Sequence, residues 1–282
     1  MMHGAKLFFL AVLLTSTASA QADIDALIEQ MAEKHAFPAQ QTLAEEITDA
    51  LIERLQQEPL EAVYDALSGR AQQNVHVVTW EDGDRRIGLA TLWHRNNYQP
   101  VRFNSERFAD KVAYSPEVYP IIQWRRADGS WAAQPLYSTE GEWPNEHTQG
   151  AKADFYEIHK LSSPNQELYL LLGVNSGTQF PAYLPFLVIG FDGDELVLDY
   201  PAFEERHPLL EATVYDNDEP AAYLDYFSYD PEAQVITFSG LSEKDLVTVP
   251  EDSRKLSSKI LNSRSGEDLV LQFTDGKFVR VE

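Results

Sequence analysis

Apolar and polar positions change period near residue 70. From Asp23 to about Leu67 the spacing is helical. Ile24, Leu27, Ile28, Met31 and His35 fall on one face of a helix that Pro38 ends. Leu43, Ile47, Ala50, Leu51 and Leu55 make a second stripe, with Thr42 as its expected N-cap and Glu45 placed to complete a capping box. Pro59 opens a third short helix that carries Leu60, Val63, Tyr64 and Leu67 on one side, and Ser68-Gly69 is expected to close it. Residues 21–70 therefore read as a helical segment. Its apolar faces need a surface to dock on, and the rest of the same chain is the nearest one.

Residues 71–282 read as strands. Short runs rich in Val, Ile, Tyr, Phe and Trp are separated by turn residues. Asp82-Gly83, Asp128-Gly129, Asp192-Gly193 and Asp275-Gly276 each stand between two such runs. Asp and Gly supply the positive φ of a two-residue hairpin turn, so each pair predicts a hairpin. The arms are Val75–Trp80 with Ile87–Trp93, Tyr119–Arg125 with Trp131–Tyr137, Phe186–Phe191 with Glu195–Tyr200, and Leu269–Phe273 with Lys277–Val281. Two further hairpins join Phe155–Leu161 to Leu168–Gly173 and Tyr223–Tyr229 to Val235–Ser239. The expected fold is mainly β with an N-terminal helical segment: an antiparallel meander of about a dozen strands, as a β-sandwich, an open barrel or a propeller-like array. The stretch Ser138–Ala153 is the least regular, and is either a long loop or a boundary between two β-subdomains.

Four of these runs occur in a distinctive succession: Phe155-Tyr-Glu-Ile-His-Lys-Leu161, Glu167-Leu-Tyr-Leu-Leu-Leu-Gly173, Leu187-Val-Ile-Gly-Phe-Asp-Gly193 and Val235-Ile-Thr-Phe-Ser-Gly-Leu241. The succession resembles a group of secreted bacterial proteins with no assigned activity, and Val75–Asp82 resembles that group's opening strand. The likeness covers about half of the chain and rests on strand cores and turns. Val174–Pro185 departs from the group's longer glycine- and asparagine-rich stretch. The resemblance implies an extracytoplasmic, β-rich domain.

The first residues point to the same compartment. Lys6 precedes the apolar run Leu7–Leu14, and Ala18-Ser19-Ala20 fits a small-x-small cleavage site. The run is shorter than the about 20 residues that span a bilayer. Residues 1–20 are thus expected to be a signal peptide, with Gln21 as the mature N-terminus and no span after cleavage. The expected location is periplasmic or secreted. Forty-five acidic residues against 22 Lys and Arg leave a net charge of −23, which repels nucleic acid and anionic lipid. No cysteine is present, so neither disulfides nor thiol chemistry operate, and 282 residues are enough to bury a core without staples.

Candidate chemistry is sparse. Gly173-Val-Asn-Ser176-Gly177 sets its serine one place late for a nucleophile elbow, and reads as a flexible turn rather than a nucleophile. Glu157 and His159 are two apart on a strand and share a face. With His76 on another strand they are candidates for a metal site, or a solvated pair. Asp216, Asp218 and Glu219 gather oxygens in one short loop, a candidate Ca²⁺ site or simply a solvated acidic loop, and no other cofactor is expected. Asp192, Asp194 and Glu195 form a second acidic turn, which hairpin chemistry already explains. Trp143, Phe180 and Tyr183 stand in loops as candidate aromatic contacts for a ligand. The leading expectation is a non-enzymatic domain that binds a protein or glycan partner in the cell envelope. A hydrolase of envelope polymers with a carboxylate pair and a calcium-stabilised structural module are the alternatives.

Overall fold

The computed structural model describes residues 24–31, 33, 37–83, 85–95, 116–140, 147–150, 153–174, 182–198, 200–203, 209–214, 227–238, 258–261 and 268–281. The expected signal peptide lies outside these residues. Helix α1 (residues 24–31) is followed by α2 (Phe37–Leu55), α3 (Leu60–Ala66) and α4 (Gly69–Gln72). The apolar stripes do what their period requires: Ile24, Ile28, Met31, Leu43, Ile47, Leu51 and Leu55 are all buried. Two boundaries differ from the sequence reading. Because α2 begins at Phe37, Thr42 lies inside it and is not its N-cap. Pro38 sits in the first turn, where a missing N–H has no helical acceptor to lose. Ser68-Gly69 does not stop a helix but starts one, since Ser68 Oγ accepts the Ala71 N–H at 3.3 Å.

Sixteen strands are described, and they include all twelve of the expected ones. β1 (Val75–Asp82), β2 (Arg85–Arg95), β3 (Pro116–Arg125) and β4 (Trp131–Pro135) form an antiparallel meander in sequence order. β5 (Tyr137–Glu140) pairs with β6 (His147–Gly150), so the irregular stretch near 138–153 holds a small ribbon. A second large sheet contains β7 (Asp154–Leu161), β8 (Glu167–Val174), β9 (Ala182–Asp192), β10 (Glu195–Val197), β11 (Leu209–Val214) and β14 (Ser258–Leu261). A third is β12 (Phe227–Asp230), β13 (Val235–Phe238), β15 (Leu269–Thr274) and β16 (Lys277–Arg280). The meander breaks once: β11 and β14 pair in parallel, which needs a crossover, and the hairpin β12–β13 lies within it. Among the described residues no sheet closes into a barrel.

Three apolar clusters stack these elements into layers. The helices pack on one face of the first sheet through Leu60, Ala90, Leu92, Tyr119 and Ile121. Its other face, with Ile87, Leu89, Ile122 and Trp124, packs on Tyr169, Leu171, Leu187 and Ile189 of the second sheet. The far face of the second sheet, with Leu168, Leu170, Phe186 and Val188, packs on Ile236, Phe238, Leu271 and Phe278 of the third. This order explains the sequence pattern. Strands covered on both sides, such as Leu168–Leu172 and Phe186–Ile189, have no polar alternation, whereas β15 at the outer layer alternates buried and exposed. Two glycines mark close approaches, one of the first sheet to α3 and one within the second sheet. A Cβ on Gly88 would stand 2.7 Å from Leu60, and one on Gly173 would stand 2.8 Å from the Phe155 ring.

All four Asp-Gly pairs make hairpin turns, with positive φ at Gly83, Gly129, Gly193 and Gly276. They are centred differently, however. Asp275-Gly276 is the two-residue loop itself, since Thr274 pairs with Lys277. Asp82 and Asp192 are the last paired residues before their loops, opposite Arg85 and Glu195. Asp128-Gly129 lies within the longer loop between the paired residues Arg125 and Trp131. Glycine at the left-handed position is the constant, and the aspartate shifts around it.

Candidate functional site

Antiparallel pairing brings the beginning of β2 and the end of β3 to one edge of the first sheet, where Ile87 pairs with Trp124. β2 begins Arg85-Arg86, and β3 runs into Arg125-Arg126. In the second sheet Glu167 at the start of β8 pairs with Phe191 at the end of β9, next to the Gly193-Asp194 turn. The two sheet ends together form a cleft of about 650 Å³, with Arg85, Arg125 and Arg126 on one side and Glu167, Gly193 and Asp194 on the other.

Arg85 ties these ends together. Its Nε and Nη2 donate to the two oxygens of Glu167 at 3.0 and 2.8 Å. Nη2 also donates to Gly193 O at 3.0 Å, and Nη1 to Arg125 O at 3.2 Å. The guanidinium lies 4.5 Å from the Phe191 ring centre, a cation–π contact. Tyr169 donates its hydroxyl to Glu167 Oε1 at 2.5 Å. Burial pushes the Glu167 carboxyl up, but the hydrogen bonds from Arg85 and Tyr169 and the arginine charge outweigh it, so Glu167 is held below the ordinary glutamate value. Burial also raises Tyr169, and its bond to the Glu167 carboxylate adds to this. Asp194 is engaged from the other sheet: its Oδ1 accepts the Ala127 N–H at 2.9 Å, and its carbonyl accepts Trp124 Nε1 at 2.8 Å.

The two carboxylates lining the cleft thus hydrogen-bond within the protein, and beyond Arg85 its other charged residues are Arg125 and Arg126. Both are exposed. The ion pairs of the described residues put Arg54, Arg85, Arg86 and Lys160 against carboxylates, but neither Arg125 nor Arg126. Glu167, held ionised, is unsuited to act as the protonated acid that glycoside hydrolysis needs.

The residues singled out from sequence lie elsewhere. Trp143, Phe180, Ser176, Asp216, Asp218 and Glu219 fall outside the described residues. Tyr183 is on β9, paired with Thr213. His159 Nε2 stands 2.8 Å from Glu157 Oε2, as their spacing predicts, and the His159 ring lies 4.7 Å from that of Tyr229. Burial pushes the Tyr229 hydroxyl up to about 12. His76 does not join this pair but meets Asp154 at 2.7 Å, and no group of three metal-ligating residues occurs among the described residues. The cleft arginines are missing from the sequence reading. Their signal is the mirrored pair of strings Asp-Gly-Asp-Arg-Arg (82–86) and Arg-Arg-Ala-Asp-Gly (125–129): hairpin turns flanked by double arginines on adjacent strands.

Fold and site together define a layered, mainly β domain with an N-terminal helical layer and an arginine-bearing cleft at the hairpin end of two stacked sheets. Compared with known protein families, curated proteins and solved structures, the chain returns no match.

Proposed function

We propose that this chain is a secreted or periplasmic domain without catalytic activity that binds a protein or glycan partner of the cell envelope, and that it receives this partner in the arginine-lined cleft. The observation that carries the reading is the division of labour in the cleft: Glu167 and Asp194 are spent on Arg85 and Ala127, while Arg125 and Arg126 face solvent. Lys6, the apolar run Leu7–Leu14 and Ala18-Ser19-Ala20 support export, as does the resemblance of Phe155–Leu241 to secreted proteins. The net charge of −23 speaks against nucleic acid as the partner. Among the described residues no helix is long and apolar enough to cross a membrane.

The hydrolase reading has two acids available in this cleft, Glu167 and Asp194. It needs one of them protonated at neutral pH, and the low pKa of Glu167 speaks against that residue. The test is co-sedimentation with washed cell envelopes. The mature protein is expected to pellet with them and to release no soluble saccharide or peptide. Steady release of fragments would convert the reading to a hydrolase, and a protein that stays in the supernatant would remove the envelope partner.

A further inference from the structure

Resting on the cleft as the binding site, we infer that its ligand presents a small oxyanion, a single carboxylate or phosphate group, to Arg125 and Arg126. The guanidinium fork matches both groups in two-point geometry. The cleft contains three arginines against two acids. Arg85 is paired with Glu167, with the Asp194 charge also acting on it, whereas neither Arg125 nor Arg126 is in an ion pair of the described residues, so these two are the cations open to a ligand. On their own turn Asp128 Oδ1 accepts the Ser130 N–H at 2.8 Å, and the Arg126 charge acts on this carboxylate, so Arg125 is the less compensated of the two. Gly129 adds no side chain to the cleft wall, and a Cβ there would stand 3.7 Å from Arg125 Nη2, so the guanidinium lies alongside open backbone.

The protein's own charge sets the size of the ligand. A chain of net charge −23 repels an extended polyanion over most of its surface. Salt screens that repulsion beyond about 8 Å, so a compact anion inside the cleft feels mainly the two arginines. A group with one or two negative charges on an otherwise neutral molecule fits both conditions.

The test is a backbone-amide NMR titration of the mature protein with galacturonate, inorganic phosphate and neutral galactose, each into the millimolar range. Galacturonate or phosphate is expected to move the Ala127, Gly129 and Gly193 signals while galactose does not, and the tighter of the two identifies the oxyanion. Arg125→Gln with Arg126→Gln should weaken binding about tenfold or more, because hydrogen bonds to a charged group are lost. Arg126→Lys alone keeps the charge but loses the two-point fork, so it should fall between wild type and the double variant, and an unchanged melting temperature in each variant confirms that the fold is intact. Equal movement with galactose, or binding unaffected in the double variant, overturns the oxyanion and leaves the cleft as a binding site. No movement with any probe also overturns it. Whether the cleft reading falls as well is then decided by the envelope binding of Ala127→Trp.

Discussion

Gln123 joins the helical layer to the first sheet, and its removal is a quantitative test of how that layer is held. The residue is on β3 with 2 % exposure. Its Nε2 donates to Leu55 O at 2.5 Å and to Glu58 O at 2.7 Å, and its Oε1 accepts the Leu60 N–H at 2.8 Å. The end of α2 and the start of α3 each leave backbone groups without helical partners, and this one amide satisfies three of them. Gln123→Leu keeps the approximate volume and strands all three. An unsatisfied buried polar group costs about 1–3 kcal/mol, and the apolar side chain returns part of that, so the expected loss is about 3–4 kcal/mol. Against a typical stability of about 5–15 kcal/mol this is a large fraction. Urea unfolding followed by tryptophan fluorescence should show a lower midpoint at unchanged slope, and a melting temperature lower by about 10 °C. Gln123→Glu should not rescue it, because a carboxylate cannot donate to the two carbonyls. A loss below about 1 kcal/mol for Gln123→Leu would mean that α2 and α3 are held by their apolar stripes alone and that the amide contributes little.

Three further outcomes follow from individual contacts. Gly173→Ala places a Cβ 2.8 Å from the Phe155 ring and 3.1 Å from Pro185, both buried, and should cost about 1–3 kcal/mol in urea unfolding; an unchanged midpoint would mean that the ring yields freely. The hydrogen bond to Asp154 raises the pKa of His76, with the Asp154 charge adding to it and burial opposing. Its contribution is therefore complete below the unfolded value near 6.5 and is lost as pH rises through the raised folded value. With 41 % of the His76 side chain exposed the amount is under about 1 kcal/mol, and His76→Gln should remove the slope over this range; an identical slope would dismiss the pair. Glu167→Gln leaves Arg85 charged in a partly buried site and should cost about 2 kcal/mol at neutral pH. Because the folded Glu167 pKa is lowered, the wild-type advantage should be present above the unfolded value near 4.5 and vanish as pH falls through the folded one, which unfolding at a series of acid pH values checks.

Local chemistry made the strands legible and long-range pairing did not. The four Asp-Gly turns and the runs between them were readable because a left-handed glycine between alternating segments is a local requirement. The layers were written in the same runs: Leu168–Leu172 and Phe186–Ile189 are apolar throughout because a sheet covers each side. β11 and β14 escaped, since a parallel pair across a long crossover leaves no mark in either segment. β5 and β6 escaped because Tyr137–Glu140 and His147–Gly150 are mostly polar and show no alternation. Thr42 was misread because the rule for an N-cap is satisfied equally well by a Thr inside a helix that starts at Phe37. For the site, single-residue motifs pointed to histidines and acids, whereas the cleft depends on which ends of β2 and β3 meet. That follows only once the hairpins are paired.

Whether the cleft receives an envelope partner is read out by a binding isotherm of the mature protein on washed cell envelopes, wild type against Ala127→Trp. Ala127 is exposed on the cleft wall and contributes only its N–H, at 2.9 Å from Asp194, so an indole there fills the space without altering any charge. Saturable wild-type binding is expected, with at least about a tenfold loss in the variant, a difference of about 1.4 kcal/mol. Superimposable isotherms for the two proteins would contradict it and move the binding surface elsewhere.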